Sequence, residues 1–314
     1  MGGHEVEDVL RRVSLFADRP VRTSRMEGGL SHSIWRVDAG ARSYVLRVLD
    51  PAVSAAGLGV PPEREVENTV RAAESGAGAR VIEVLPDVPA LVLEFLPGRT
   101  LNAADVRSPA TIPRVAAGCR RLHAGPRFAN DFDIVDKQRE LLDICARHDL
   151  PLPDGYRDHL STVDHIRTAL AARPLPTVPC HNDLLAENFI DVAGDVRIVD
   201  YQLSGNNDPA FELGDIAAEA DFDPDRTAAL TAAYFGAETD PRLVARVRLN
   251  LVLSNVTWSL WFSVHHGLLR KPGSTFDYRA EAADKWSQAL RDLGDPELGK
   301  LIDGAAGRSP LPYP

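Results

Sequence analysis

Cys180-His-Asn-Asp-Leu-Leu-Ala-Glu-Asn-Phe-Ile190 and, after a short gap, Arg197-Ile-Val-Asp-Tyr-Gln202 hold the densest run of unusual polar residues in the chain. Asp183 precedes Asn188 by five positions, the spacing at which His-x-Asp-x-x-x-x-Asn loops carry phosphoryl transfer. Glu187 to Asp191 and Val196 to Tyr201 read as strands around a turn at Ala193-Gly194-Asp195. With the turn centred on Gly194, residues whose numbers sum to 388 face one another, and Asn188 and Asp200 are such a pair. Opposed residues hold their Cβ atoms about 4.5–5.5 Å apart, so an amide oxygen and a carboxylate there can share one Mg²⁺. Asp183, just upstream, is then placed to take a proton from a substrate hydroxyl, and His181 to orient the loop through hydrogen bonds. The plain alternative is a hairpin with a solvated Asp and a turn-capping Asn. Asp200 speaks against it, because it ends the apolar run Ile198-Val199, where an unpaired carboxylate is costly.

Upstream, the first third of the chain alternates strand and turn chemistry. Val6, Val9, Leu10, Val13 and Phe16 share one helical face. Gly28-Gly29-Leu30-Ser31 then feeds a strand at Ile34 to Val37, and Tyr44 to Leu49 is a second strand beyond the turn around Gly40. A helix spans Pro62 to Ser75, followed by the strands Val81 to Val84 and Leu91 to Leu96 and the break Pro97-Gly98. Backbone N–H groups at Gly28, Gly29 and Ser31 can cradle phosphates, since glycine permits close approach; a plain β-turn is the alternative. Arg47 lies among apolar neighbours on its strand, where a cation paired with Glu67 or Glu65 on the helix would hold α/β-phosphates. The alternative is an edge arginine in solvent. Backbone groups near Glu94, Phe95 and Leu96 are candidates to meet adenine.

From Ala110 onward the pattern is mainly helical, so the expected division is residues 1–97 with a hinge at about 94–98, then residues 98–314. The 314 residues carry 44% hydrophobic and 25% charged side chains, ordinary values for a globule with a sizeable core. A net charge of −10 argues against a nucleic-acid binder, whose affinity rests on cations meeting phosphates. The most apolar stretch, Leu249 to Val264, is broken by Asn250, Ser254, Asn255, Thr257, Ser259 and Ser263, which excludes a membrane span there. Cys119, Cys145 and Cys180 fit neither a disulfide framework nor a zinc set, and no secretory signal precedes them; the expected compartment is the cytoplasm.

Together these stretches resemble the choline/ethanolamine kinase family within the aminoglycoside-phosphotransferase-like small-molecule kinases, from Gly28 to about Trp286. The resemblance implies an α+β, bilobal, protein-kinase-like fold, with a small antiparallel-sheet lobe and a larger helical one. It also implies ATP and Mg²⁺ as cofactors and a small alcohol, choline or ethanolamine, as acceptor. His181-Asn182-Asp183 through Asn188 is similar to the family's catalytic loop, and Ile198-Val199-Asp200 to its metal-binding strand end. Tyr44 to Leu49 looks like its nucleotide strand, with Arg47 where lysine is usual, and Glu67 is the better of the two helix carboxylates.

Trp258-Ser-Leu-Trp261 and Phe276-Asp277-Tyr278 resemble the part that distinguishes choline and ethanolamine kinases. Ser254, Trp258, Trp261 and His265 share a helix face. A quaternary ammonium has no N–H and is recognised by aromatic faces; two tryptophans in an ordinary core are the alternative. Glu219 is a candidate carboxylate for the ammonium. Gln202 stands where the family usually has Glu, which puts a second metal ion or the acceptor in question. Rival expectations are an aminoglycoside or thiamine kinase, with the tryptophans in the core, and a pseudokinase-like nucleotide-binding protein.

Overall fold

The structure, a computed structural model, describes residues 3–17, 19–26, 31–85, 87–271 and 273–308. Its smaller lobe is one antiparallel sheet: β1 (Val21–Arg25), β2 (Ser33–Ala39), β3 (Arg42–Val48), β4 (Val81–Leu85) and β5 (Ala90–Glu94), in the order β1-β2-β3-β5-β4. Alternation decides which side chains go where. Tyr44, Leu46 and Val48 of β3 face α1 (Gly3–Leu10) and bury Val6, Val9, Leu10, Val13 and Phe16 with it. The intervening residues of β3, Arg47 among them, face the other way. The predicted helix stops at Leu10 and resumes as a turn at Ser14–Phe16, because Glu83 accepts from the Ser14 backbone N–H at 2.7 Å and from its hydroxyl at 2.8 Å. Strand β1 was not expected from sequence: four of its five residues are exposed, so it carries no apolar alternation.

Two helices separate β3 from β4: α2 (Pro51–Ala55) and α3 (Pro62–Glu74). Helix α3 turns Glu65, Asn68, Thr69 and Ala72 inward, the i, i+3, i+4, i+7 face of a helix. Asn68 fastens it to the larger lobe, donating to Asn130 Oδ1 at 2.9 Å and Ser204 Oγ at 3.0 Å and accepting from Ala129 N at 2.9 Å.

The larger lobe contains β6 (Arg99–Thr100), α4 (Ala103–Val106), α5 (Ile112–His123), α6 (Ile134–Arg147) and α7 (Leu160–Ala172). The short strand β7 (Val178–Cys180) then leads to the hairpin β8 (Phe189–Val192) and β9 (Asp195–Ile198), followed by β10 (Gly205–Asn207). Five helices complete it: α8 (Pro209–Glu219), α9 (Pro224–Phe235), α10 (Pro241–Leu268), α11 (Tyr278–Leu293) and α12 (Leu298–Ala306). Helix α10, 28 residues and so about 42 Å long, is buried nearly all round and is the pillar on which α6, α8 and α11 pack. Gly214 lets α8 lie against it, since a Cβ there would meet Asn250 Cβ and Leu251 N at 2.7 Å. Gly98 likewise brings the crossover between lobes onto β8, with Asp191 O only 2.5 Å from where its Cβ would be.

The hairpin differs from expectation by one step. Ala193 at φ 51° and Gly194 at φ 95° make a two-residue turn, the primed geometry that matches strand twist. Phe189 therefore pairs with Ile198 and Val192 with Asp195. Asn188 faces Val199 rather than Asp200; its carbonyl accepts from Val199 N at 3.0 Å. Asp200 lies past the strand end at φ 75°, outside the ladder.

Candidate active site

The catalytic-loop candidate runs from the end of β7 to the start of β8. Two carboxylates of α8, one turn apart, hold it by its backbone. Glu212 accepts from His181 N and Asn182 N, both at 2.8 Å, and Asp215 accepts from Leu184 N at 2.7 Å. His181, wholly buried, accepts at Nδ1 from Asp183 N at 3.2 Å and donates from Nε2 to Val199 O at 2.9 Å. Burial keeps its pKa below the usual histidine value, so the ring stays in this neutral, loop-holding form. Asn188 donates to Asp183 O at 2.8 Å, which ties the ends of the loop together and leaves the amide oxygen to meet a cation. Asp183 is partly buried. Burial first, then the charges of Asp215, Glu219 and Asp200, push its carboxyl well above the usual range, with Lys285 opposing.

From the small lobe, Arg47 reaches into the same place. Its Nε donates to Glu65 Oε1 at 2.9 Å, and its outer nitrogen pairs with Asp200. His32 Nδ1 accepts from Asp50 N at 3.0 Å, so its Nε2–H donates to Glu65 Oε2 at 3.1 Å. Burial alone would raise the Asp200 carboxyl, but the Arg47 charge outweighs it and the net shift is downward. The helix partner is therefore Glu65 and not Glu67. Glu67 points to the surface and pairs with Arg71 and Arg64, because it stands two residues, about 200° of helical turn, from the buried position at 65.

On the acceptor side, Asp215 also accepts from Ser254 Oγ and Trp258 Nε1, each at 2.8 Å. Burial and then Glu219 push its carboxyl up to about 7. Glu219, one turn further along α8, pairs with Lys285 of α11 at 2.8 Å, both nearly enclosed. Trp258 thus presents its N–H edge to the site. Both indoles are core side chains, 3% and 5% exposed: Trp258 packs near Phe132, and Trp261 donates to Leu58 O at 3.0 Å. Tyr278 stacks on His265 with centroids 4.2 Å apart, in a packed aromatic group with Trp261. The face-on cation cage expected of Trp258, Trp261 and Tyr278 is thus replaced by close packing, because each ring already has aromatic or polar partners.

Gln202 is buried, and its carbonyl accepts from Val60 N at 2.8 Å, a joint between the lobes. A cavity of about 360 Å³ opens beside it, lined by Gly59, Val60, Phe132, Asp133 and Leu203 among others. Gly28 and Gly29 lie outside the described residues. Ser31, at the described end of that loop, is buried with its hydroxyl unpaired among the described residues. Glu94 accepts from Arg80 N at 2.9 Å, the Arg36 guanidinium lies 4.6 Å from the centre of the Phe95 ring, and Leu96 packs with Leu91 and Leu93. Sequence reading missed the roles of Glu212, Asp215, Asn68 and Lys285. The signal for the first two was a pair of acids at i, i+3 among the apolar residues that fill the first two turns of α8.

A two-lobed molecule with this loop, strand end and lobe-bridging arginine pair is a kinase of the protein-kinase-like, small-molecule class. The chain belongs to the phosphotransferase enzyme family known as APH, whose pattern matches residues 22–249. It is 26% identical over 207 residues to protein LicA of Haemophilus influenzae, covering 62% of this chain and 74% of that one. It is 27% identical over 243 residues to human ethanolamine kinase 1, covering 64% of this chain but about half, 52%, of the human protein. A choline/ethanolamine kinase family protein from Mesorhizobium loti superposes with a TM-score of 0.84 at 27% identity, covering 98% of this chain and 100% of that one. The choline kinase LicA from Streptococcus pneumoniae gives 0.74 at 17% identity over 93% and 99% of the two chains, a likeness of fold. The protein is a small-molecule phosphotransferase, similar in sequence and fold to choline and ethanolamine kinases.

Proposed function

We propose that the protein moves the γ-phosphoryl group of ATP, with Mg²⁺, to the hydroxyl of a small amino alcohol, ethanolamine or choline. The observation that carries this reading is that Arg47 of the other lobe pairs with Asp200, whose charge acts on Asp183, the residue to which Asn188 is tied. Asp183 orients the acceptor hydroxyl and takes its proton as the oxygen–phosphorus bond forms and the bond to departing ADP breaks. The pKa-raising surroundings of Asp183 favour it as a proton acceptor. Arg47, ordered by Glu65, steadies the phosphates. Backbone groups at 94–96 meet the adenine, and Ser31 lies at the end of the phosphate loop. His181 positions the loop, and Asp215, Glu219, Trp258 and Gln202 stand on the acceptor side.

Asn188 and Asp200 are hard oxygen donors, the set that Mg²⁺ takes, and they would hold it. When bound, the ion neutralises charge developing on the phosphates. Catalysis then rests on alignment and fixed charge more than on covalent chemistry. The relatives named as ethanolamine kinase and LicA support the acceptor class. The core position of Trp258 and Trp261 favours a second reading, an aminoglycoside kinase.

ADP release measured with ethanolamine, choline, thiamine and several aminoglycosides separates these readings. Turnover with the amino alcohols is expected. Turnover with aminoglycosides alone would transfer the protein to the second reading, and nucleotide binding with no Asp183-dependent turnover would make it a pseudokinase.

A further inference from the structure

Among the described residues the acceptor side carries Asp183, Asp215 and Glu219, each within electrostatic reach of another, and Glu281 of α11, within reach of Glu219 and Lys285. One ammonium is built in among them: Lys285 Nζ, 2.8 Å from Glu219, with the two side chains 6% and 8% exposed. Lysine and glutamate are seldom buried this deeply unless paired. Here the pair sits at the end of α8 whose previous turn, at Asp215, holds the catalytic loop through Leu184 N. On α10, within a turn of both Ser254 and Trp258, Asn255 is fully buried with neither amide atom hydrogen-bonded among the described residues, a polar group of the kind that bound partners satisfy.

We propose that Lys285 is a specificity-determining residue: its ammonium holds, on Glu219, the place that a cationic acceptor's charge would take. The proposal rests on the reading of this side of the cleft as the acceptor site. A quaternary ammonium needs aromatic faces and an open negative charge. The tryptophan rings here are packed and edge-on, and Glu219 is already answered from within the chain. The pocket therefore reads the hydroxyl and the shape of the acceptor more than its positive charge. An acceptor that carries N–H groups can still donate to Asp215 or Glu219 beside Lys285; one that carries only methyl groups gains little from either.

The test compares choline with its uncharged isostere, 3,3-dimethyl-1-butanol, in the wild type and in Lys285→Met. An opposite charge about 4–6 Å away changes a carboxylate's affinity for a proton by about 10- to 1,000-fold, and the same neighbour competes with any other cation. In Lys285→Met the ratio of the choline KM to the isostere KM should fall about tenfold or more. In Glu219→Gln, which removes the closest carboxylate facing Lys285, the same ratio should rise about tenfold. A choline-to-isostere KM ratio that moves in neither variant overturns the proposal and leaves the pair a purely structural contact. Should Lys285→Met fail to fold, Glu219→Gln alone decides in the same way.

Should neither alcohol be phosphorylated, calorimetric titration of choline into the protein with ADP and Mg²⁺ replaces the assay. Tighter binding by about tenfold in Lys285→Met then supports the role of Lys285 while the amino-alcohol kinase reading fails. Equal affinity, or none in either protein, overturns the proposal.

Discussion

The two sides of the cleft solve the problem of buried charge in opposite ways. On the side proposed for the nucleotide, Arg47 lies between Glu65 and Asp200, and His32 completes the Glu65 carboxylate. On the side proposed for the acceptor, Lys285 is set among Asp183, Asp215, Glu219 and Glu281, and burial, with neighbouring carboxylates adding to it, raises the carboxyls of Asp183 and Asp215. A balanced cluster fixes geometry, whereas an unbalanced one keeps proton affinity near where a base must work. On the proposed function, the half assigned to the cosubstrate is the closely matched one, and the half assigned to the acceptor is the one whose carboxyls are raised.

The sharpest break of this contrast is Asp183→Asn, which keeps the shape and removes the base. A fall in kcat of about 10²- to 10⁴-fold is expected, with ATP binding retained. Loss of nucleotide affinity in step with kcat would mean that Asp183 belongs to the matched side after all. Next comes Glu65→Gln. Removing one partner of a buried ion pair costs about 3–5 kcal/mol, and here it also releases Arg47. A marked drop in melting temperature and a KM for ATP raised about tenfold are expected, against little change in the KM of the acceptor.

A pH series sharpens the other half. Asp215 has its folded pKa at about 7 against the usual 3.8, so the stability it contributes is fully present below about pH 3.8 and lost as pH rises through 7. His181, held below its usual 6.5, acts in the opposite sense: its contribution is present above 6.5 and lost as pH falls through its folded value. Glu212 is likewise lowered, from 4.5, and its contribution is lost only in acid. Between pH 6 and 8, urea denaturation should show the wild type losing about 1.4 kcal/mol relative to Asp215→Asn. Parallel pH profiles for the two proteins would remove Asp215 from the unbalanced side.

How much of this was legible in the sequence follows the same division. The catalytic loop and the strand end were readable because a fixed spacing, Asp183 to Asn188, sits beside an apolar strand that ends in Asp200. The hairpin register slipped by one because Ala193 accepts a left-handed φ beside Gly194, a two-residue turn that nothing in the residue types required. Strand β1 was hidden by its exposed, polar side chains. Lys285 was invisible for a different reason: Glu219 and Lys285 are 66 positions apart, and the pairing exists only because α8 and α11 both pack on α10. Local periodicity reports faces of one helix; it does not report which faces of distant helices meet.

The smallest expected effect is the most direct check on the choice between two carboxylates of one helix, α3, which the sequence placed correctly. Glu67 and Glu65 differ by two positions on α3, and a resemblance alone favoured the outer one. Glu67 lies 40% exposed between Arg64 and Arg71, which are themselves 48% and 31% exposed. Exposed pairs of this kind contribute about 0–1 kcal/mol and are screened by salt. Glu67→Gln should therefore shift stability by less than about 0.5 kcal/mol and leave the KM for ATP within about twofold of wild type. Should it instead weaken ATP as Glu65→Gln does, Arg47 would have to change carboxylates when the nucleotide binds. The helix would then rotate its faces by more than half a turn, in conflict with Asn68, whose amide is fixed to Ser204 and Asn130 on the same inward face. Asn68→Ala distinguishes the two cases: it loosens that anchor, and only in the rotating case would it make Glu67 matter.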